Sequence, residues 1–200
     1  MARSDNLYEL PRDLPIPRDD GACNHLEGMT LPPIGLPSTR GRVVDLSRLA
    51  GTTVIYIYPR TGRPDQEVPT GWNEIPGARG CTPQSCAYRD HFSELQRAGA
   101  AQVFGLSAQD SAYQREAAER LHLPFELLSD AGHRLASTLN LPTFEVDGMK
   151  LIKRITLVVR NGAIAKVFYP VFPPDKNAGD VIAWLTAVRD DELREISDED

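Results

Sequence analysis

Cysteines are few and long apolar runs are missing from this sequence of 200 residues. Three cysteines are too few, and odd in number, for the disulfide framework of a small secreted protein. No run of about 18 apolar residues occurs, so a transmembrane helix is excluded. Residues 1–21 are polar and interrupted by prolines, and they lack the apolar core of a signal peptide. We therefore expect a cytoplasmic protein that has no membrane partner.

A surplus of positive charge is also missing. The chain has 22 Lys and Arg against 28 Asp and Glu, and residues 190–200, with seven acids and one base, account for the whole net charge of −6. The neutral remainder offers no basic face for nucleic acid. Its hydrophobic content of 41% is enough to form a globular core. We expect an extended proline-rich arm over residues 1–28, one domain over 29–189 and a solvated, frayed acidic tail over 190–200.

A continuous apolar run predicts the central strand. Thr52–Tyr58 is rich in β-branched and aromatic residues and ends at Pro59, which is typical of a strand buried on both faces of a sheet. Residues 60–80 then form a long segment rich in glycine and proline, and loops of this length are often functional. Trp72 is its one large aromatic residue. We expect the indole to hold the segment against the body of the domain; the alternative is that it shapes the mouth of the pocket.

Capping residues predict a helix after this segment. Thr82 is a suitable N-cap, Pro83 suits the first helical position, and Gly99 follows the last turn. The other predicted elements are strands at Val43–Leu46, Val103–Ser107, Phe125–Leu128, Arg154–Val159 and Ala163–Phe168, and helices at Asp110–Leu121, at His133–Leu139 and from Asp180. Helices that alternate with strands predict an α/β fold, with a central, mostly parallel mixed sheet flanked by helices.

Cys81 stands at the start of this helix. Unpaired amide groups and the helix dipole favour a thiolate there, and a thiolate is a nucleophile at neutral pH; the alternative is a cysteine that only packs. Cys86 follows five residues later. In an intact helix this offset separates the Cα atoms by about 8–9 Å, beyond the roughly 7 Å that a disulfide spans. A disulfide between the two cysteines therefore needs the first helical turn to unwind.

Metal and phosphate motifs are weak or missing. Cys81, Cys86 and His91 form a C-x4-C-x4-H pattern, but structural zinc sites favour closer cysteines, and a fourth ligand is missing nearby. The sequence contains no phosphate-binding loop, no G-x-S-x-G elbow and no H-E-x-x-H pair. We therefore expect no metal site.

Two motifs carry a resemblance to a known family. YIYP at residues 56–59 and GCTPQSCAYRD at residues 80–90 resemble the peroxiredoxin family, and most of all its bacterioferritin-comigratory, or Q-type, branch. The resemblance extends over residues 28–188 and includes residues 103–107, 123–130 and 154–159. It implies a thioredoxin-like fold and thiol-dependent reduction of hydroperoxides, with no metal and no bound organic cofactor.

The resemblance implies a role for each matching residue. Cys81 is similar to the peroxidatic cysteine, which attacks the peroxide and becomes a sulfenic acid, and Cys86 is similar to the resolving cysteine, which condenses with it. Arg154 is similar to the arginine that holds the thiolate and the peroxide oxygens by charge-assisted hydrogen bonds. The positions expected to bind substrate are Pro59, Thr82 and Gln84.

The sequence departs from the family pattern in front of Cys81. Pro59, which is similar to the family's pocket-shielding proline, precedes Cys81 by 22 positions instead of the family's seven. Ala78 occupies the position at which the family has a hydroxyl that positions the peroxide. We hypothesise that Thr61 supplies this hydroxyl, with Thr70 as the alternative.

The resulting interpretation is a thiol peroxidase that forms a Cys81–Cys86 disulfide and is recycled by a thioredoxin or a similar dithiol reductant. We expect a monomer or weak dimer that binds a hydroperoxide and neither nucleic acid nor a membrane. One alternative is a redoxin-fold redox sensor or interaction module, which Ala78 and Gln84 support because the branch usually has Glu in place of Gln84. Another is a disulfide oxidoreductase, although such enzymes use C-x-x-C and not C-x4-C.

Overall fold

The computed structural model describes residues 6–198. The strands are β1 (Gly35–Pro37), β2 (Val43–Asp45), β3 (Thr52–Ile57), β4 (Ala100–Ser107), β5 (Glu126–Ser129), β6 (Thr143–Val146), β7 (Met149–Ile152), β8 (Ile155–Arg160) and β9 (Ala163–Phe168). The α-helices are α1 (Cys81–Asp90), α2 (Phe92–Arg97), α3 (Ser111–Arg120), α4 (Arg134–Thr138) and α5 (Asn177–Asp198). Within this range of residues, no helix is long and apolar enough to cross a membrane.

A five-stranded mixed sheet lies at the centre of the molecule, in the order β5-β4-β3-β8-β9. β3 pairs in parallel with β4, and β4 with β5. β8 runs antiparallel to its two neighbours, β3 and β9. Four of the five strands therefore point the same way, which confirms the predicted α/β fold with a mostly parallel sheet.

β3 is buried on both faces, as its composition predicts. Successive side chains alternate between the faces of a strand. Ile55 and Ile57 belong to the cluster that includes Leu135 of α4, whereas Val54 and Tyr56 belong to the cluster on the opposite face. The helices on that opposite face contribute Tyr88, Leu95 and Val181. The sheet is thus covered by helices on both sides, and each fully buried side chain of this size stabilises the fold by about 1.5–3 kcal/mol.

The helix that carries Cys81 begins and ends differently from the prediction. Its N-cap is Gly80, in the left-handed region at φ 103°, and not Thr82, which already lies inside α1. Glycine reaches this conformation without the steric cost that a side chain incurs. The predicted single helix is also interrupted at His91, so that α1 and α2 are separate. Cys81 is consequently the first residue of α1.

The acidic C-terminal run is helical and not a frayed tail. α5 begins at Asn177, directly after a 3-10 turn at Pro174–Lys176, and not at Asp180 as predicted, and it continues through Asp198. Arg160 of β8 donates a hydrogen bond to Glu192, which ties the acidic part of the helix to the sheet. Residues 199 and 200 of the predicted tail lie outside the described residues.

The N-terminal arm packs against the domain. Residues 6–28 form turns and irregular chain without a helix or strand, as the prolines predict. Leu26 is fully buried and Cys23 is 5% exposed, and both belong to the main hydrophobic core. Asp20 accepts hydrogen bonds from Lys153 and from the hydroxyl of Tyr169, each at 2.8 Å. These contacts bring the arm to the end of the sheet at which β8 begins.

The long segment over residues 60–80 packs on a hairpin that sequence reasoning missed. β6 and β7 pair antiparallel around the turn Asp147-Gly148, whose two residues have positive φ. Trp72 is 5% exposed, and its ring centroid lies 6.2 Å from that of Phe144 on β6. The backbone amide of Thr70 also donates to Asp147. The prediction that Trp72 holds the segment against the domain is confirmed.

Candidate active site

Cys81 lies at the junction of the inserted segment and α1. Its side chain is 3% exposed, and its Sγ lies 3.5 Å from the carbonyl oxygen of Ala78, to which it donates. The preceding Gly80 is closely packed, since a Cβ there would overlap Pro174 and lie 2.7 Å from Leu10 Cδ2. The thiol is therefore held at the helix start, next to the positive end of the helix dipole.

Arg154 contacts the thiol directly. It precedes β8, is 3% exposed, and donates from Nη2 to Cys81 Sγ at 3.2 Å. The same Nη2 lies 3.1–3.2 Å from the carbonyl oxygens of Gly77, Ala78 and Arg79. Within residues 6–198, no carboxylate forms a salt bridge with Arg154. Its charge is thus available to a thiolate at Cys81, which is the arrangement that the resemblance implies.

Gln84 holds the other side of the guanidinium. It is fully buried on α1, and its Oε1 accepts a hydrogen bond from Arg154 Nη1. Its Nε2 donates to Oδ1 of Asn177 at 3.1 Å. Sequence reasoning missed Asn177, which lies 93 positions away in the chain and has no motif around it. An amide in place of the family's carboxylate leaves the cation without a counter-charge on this side.

Thr61 is not brought to Cys81. It is fully buried, and its hydroxyl donates to Oε1 of Gln109 at 3.1 Å. Its neighbours Arg60 and Gly62 line the cleft at Cys81, whereas Thr61 does not. The hypothesis that Thr61 positions the peroxide is therefore not supported by its placement.

Of the other residues considered for substrate binding in front of and behind Cys81, only Thr82 lines the cleft. Ala78 is fully buried and presents only its backbone carbonyl to Cys81 and Arg154. Thr82 is 3% exposed and lines the cleft next to Cys81. Pro59 is buried, two residues after the end of β3, and it does not line the cleft. The exposed Thr70 does not line the cleft either.

Cys81 opens to solvent through a cleft between the inserted segment and the N-terminal arm. Cys81 and Thr82 both line it. The walls include Leu7, Arg60, Val68, Trp72, Arg79 and Tyr113. Four of these six residues belong to the inserted segment, so the insertion forms most of the entrance to the thiol.

Cys86 lies on the same helix, and its thiol is half-buried. Burial raises the pKa of the Cys86 thiol, and the nearby Arg89 partly opposes this effect. All three cysteines are free thiols in this structure. Both Cys81 and Cys86 lie within the intact α1, so a bond between them requires this helix to open. In the described part of the chain, no group of three or more His, Cys, Asp or Glu residues could hold a metal ion, so His91 does not complete a zinc site with the cysteines.

Comparison with known proteins agrees with this geometry. The Redoxin family profile matches residues 26–182. Peroxiredoxin Q of Sedum lineare, a chloroplastic protein, is 30% identical over 164 residues, which cover 82% of this chain and 79% of the relative. Peroxiredoxin Q of Oryza sativa subsp. japonica is 30% identical over 81% of this chain and 67% of the relative.

Solved structures show the same fold. The peroxidoxin BcpB of Mycobacterium tuberculosis superposes with a TM-score of 0.66 at 26% identity, over 82% of this chain and 99% of that one. A peroxiredoxin Q of Xylella fastidiosa gives a TM-score of 0.67 at 18% identity, over 82% and 98% of the two chains, which shows the fold alone. The chain therefore belongs to the redoxin family, with a thioredoxin-like fold, and within that family to the peroxiredoxins of the Q type. It is a thiol-dependent peroxidase.

Proposed function

We propose that this protein reduces hydroperoxides in a cycle that begins at Cys81. The observation that carries the proposal is the 3.2 Å contact between Arg154 Nη2 and Cys81 Sγ, at a helix start and beside a cleft. The buried guanidinium has no carboxylate partner among the described residues, so it stabilises a thiolate and the negative charge that develops on a peroxide oxygen.

In the first step the Cys81 thiolate attacks one oxygen of the hydroperoxide. A sulfur–oxygen bond forms and the O–O bond breaks, and the leaving oxygen takes up a proton to give water or an alcohol. Cys81 is oxidised to a sulfenic acid, and the peroxide is reduced by two electrons. Arg154 is a catalytic residue in this step, because its Nη2 contacts the reacting sulfur.

In the second step the Cys86 thiolate attacks the sulfenic sulfur. A disulfide forms, and the hydroxyl group leaves as water after protonation. This step requires the start of α1 to unwind, because five residues of intact helix hold the two Cα atoms about 8–9 Å apart. Unwinding breaks the contacts of Gly80 and the hydrogen bonds of Gln84, both of which hold this turn in place.

A dithiol protein of the thioredoxin type closes the cycle. One of its thiolates attacks the Cys81–Cys86 disulfide to form a mixed disulfide, which its second thiol resolves. Both cysteines then return to the thiol state and α1 refolds. Such reductants are kept reduced in the cytoplasm, which we propose as the place of action.

The test is peroxide consumption in the presence of a thioredoxin system. Wild type is expected to consume hydrogen peroxide, and Cys81→Ser is expected to consume none. Cys86→Ser is expected to reduce one equivalent and then stop, because its sulfenic acid has no resolving thiol. Cys23→Ala serves as the matched control, since it also removes a buried thiol, but one that lies outside the proposed cycle. No consumption by wild type would overturn the proposal and favour a redox sensor.

A further inference from the structure

The guanidinium of Arg154 contains only hydrogen-bond donors, and this decides how its neighbours are oriented. Nη1 donates to Gln84 and Nη2 to Cys81 and the backbone. Because Arg154 accepts no hydrogen bond, Gln84 must present its carbonyl oxygen to it. The NH2 group of Gln84 must then point away from Arg154, towards α5.

Asn177 receives that NH2 group. Its Oδ1 accepts a hydrogen bond from Gln84 Nε2 at 3.1 Å, and it also accepts from the hydroxyls of Tyr88 and Thr156, each at 2.7 Å. Asn177 is 1% exposed, so water does not substitute for these contacts. The direction of every bond follows from Arg154, since turning the amide of Asn177 would set its NH2 group against that of Gln84.

We propose that Asn177 is a positioning residue for peroxide reduction. By accepting from Gln84, it keeps the carbonyl oxygen of Gln84 on Arg154, and the aligned guanidinium keeps Nη2 on the Cys81 sulfur. Gln84 and Asn177 are both neutral, so the guanidinium is aligned without a carboxylate that would weaken its attraction for the thiolate. This inference rests on the proposed reaction at Cys81.

The loss of the Asn177 oxygen has a defined consequence. The NH2 group of Gln84 would be left buried without an acceptor, and a buried unpaired donor is unfavourable. The amide can then rotate, and one of its two orientations directs NH2 against the donors of Arg154. The guanidinium is no longer held in a single position next to Cys81, although every group that touches the sulfur is unchanged.

The first measurement is the rate of Cys81 oxidation by hydrogen peroxide in the reduced protein, followed by stopped-flow. Asn177→Ala is expected to lower the second-order rate constant roughly tenfold, the loss of one well-made buried hydrogen bond. Asn177→Ser keeps a neutral acceptor oxygen at this position and is expected to lose less of the rate than Asn177→Ala. Tyr56→Phe is the control: it removes a buried hydrogen bond to Ser85 on the same helix, 3.2 Å long, and leaves the rate unchanged.

The second measurement is a double-mutant cycle with Gln84→Ala. If Asn177 acts through Gln84, then Asn177→Ala causes no further loss of rate in the Gln84→Ala background. Two independent losses that multiply, or a wild-type rate in Asn177→Ala alone, overturn the proposal. If Asn177→Ala does not fold, Asn177→Ser decides: a loss of rate in that variant that persists in full in the Gln84→Ala background also overturns the proposal. Wild type that peroxide does not oxidise would instead show that the proposed cycle itself is wrong.

Discussion

Thr61 and Gln109 are joined by three hydrogen bonds. Oε1 of Gln109 accepts from the amide and the hydroxyl of Thr61 at 3.0 and 3.1 Å, and Nε2 donates to the carbonyl of Thr61 at 3.2 Å. Both residues are buried. The pairing fixes the point at which the inserted segment leaves β3, so the Thr61 hydroxyl is committed to the path of the chain and not to the cleft.

Replacement of Thr61 by valine should therefore affect stability and not chemistry. The change removes one buried hydrogen bond, and we expect the free energy of unfolding to fall by about 1 kcal/mol. The rate of peroxide consumption should stay within about twofold of wild type. Urea denaturation and the thioredoxin-coupled assay check the two parts, with Thr70→Val at an exposed hydroxyl as the control. A large loss of rate in a stable Thr61→Val protein would show instead that the Thr61 hydroxyl positions the peroxide.

Gly80 and Gly99 offer a matched comparison of packing at positive φ. The two residues have φ of 103° and 111°. A Cβ on Gly80 would overlap Pro174 and lie 2.7 Å from Leu10 Cδ2, whereas a Cβ on Gly99 meets nothing within 4 Å. Alanine at either position incurs the left-handed strain of about 1–2 kcal/mol, but only Gly80→Ala adds an overlap, which costs typically 1–3 kcal/mol more.

We thus expect Gly80→Ala to be the more destabilising variant and also to slow oxidation of Cys81, because the helix start must shift. Denaturant unfolding and stopped-flow oxidation measure the two effects. Gly99→Ala should lower stability only. Equal stabilities for the two variants would mean that Pro174 moves away from an added Cβ at position 80 without lowering the free energy of unfolding.

Cys23 should be much less reactive than an ordinary thiol. Burial, together with the nearby Asp20 and Asp19, raises the pKa of Cys23 from 9.0 to about 12. At pH 8 its thiolate fraction is lower by roughly a thousandfold, since each pKa unit is a factor of ten. Iodoacetamide labelling of the native protein, read by mass spectrometry, should leave Cys23 unmodified while it modifies the thiol freely in denaturant. Rapid labelling of Cys23 in the native state would contradict this.

The ion pair between Lys153 and Asp20 should be visible in a titration. Hydrogen bonds from Lys153, and then from Tyr169, lower the pKa of Asp20 from 3.8 to about 2. Because the folded-state pKa is the lower one, the contribution of Asp20 to stability is complete above pH 4 and is lost as the pH falls from about 4 to 2. NMR of the carboxyl should show the pKa of Asp20 rising towards 3.8 in Lys153→Met. In Lys150→Met, at an exposed position on β7, it should stay near 2.

The parts of the fold that could be predicted from the sequence are those governed by local patterns. Thr52–Tyr58 predicts a strand buried on both faces, because β-branched and aromatic residues follow one another without interruption. Asn161-Gly162 joins β8 and β9 at positive φ, as that pair predicts. The hairpin of β6 and β7 had the same kind of signal in Asp147-Gly148, but its strands are only four residues long and were missed.

The candidate site could be predicted only as far as motif and helix start determine it. Cys81 and Arg154 meet as the resemblance implies, although they are 73 positions apart. The position of Thr61 just after the strand predicts a place near the cleft, but the direction of its hydroxyl depends on Gln109, 48 positions away. No sequence pattern points to Asn177, because its role comes from three side chains that contact it only in the folded protein.

The hydrogen bond between Gln84 and Asn177 links the oxidation state of Cys81 to the stability of the start of α5. Gln84 belongs to the turn of α1 that must open when Cys81 bonds to Cys86, so the disulfide form gives up this tie to the start of α5. The opening of α1 thereby removes one of the three hydrogen bonds that hold Asn177, the first residue of a helix that contains no cysteine. Amide hydrogen exchange at the start of α5 should therefore be faster in the oxidised protein than in the reduced one.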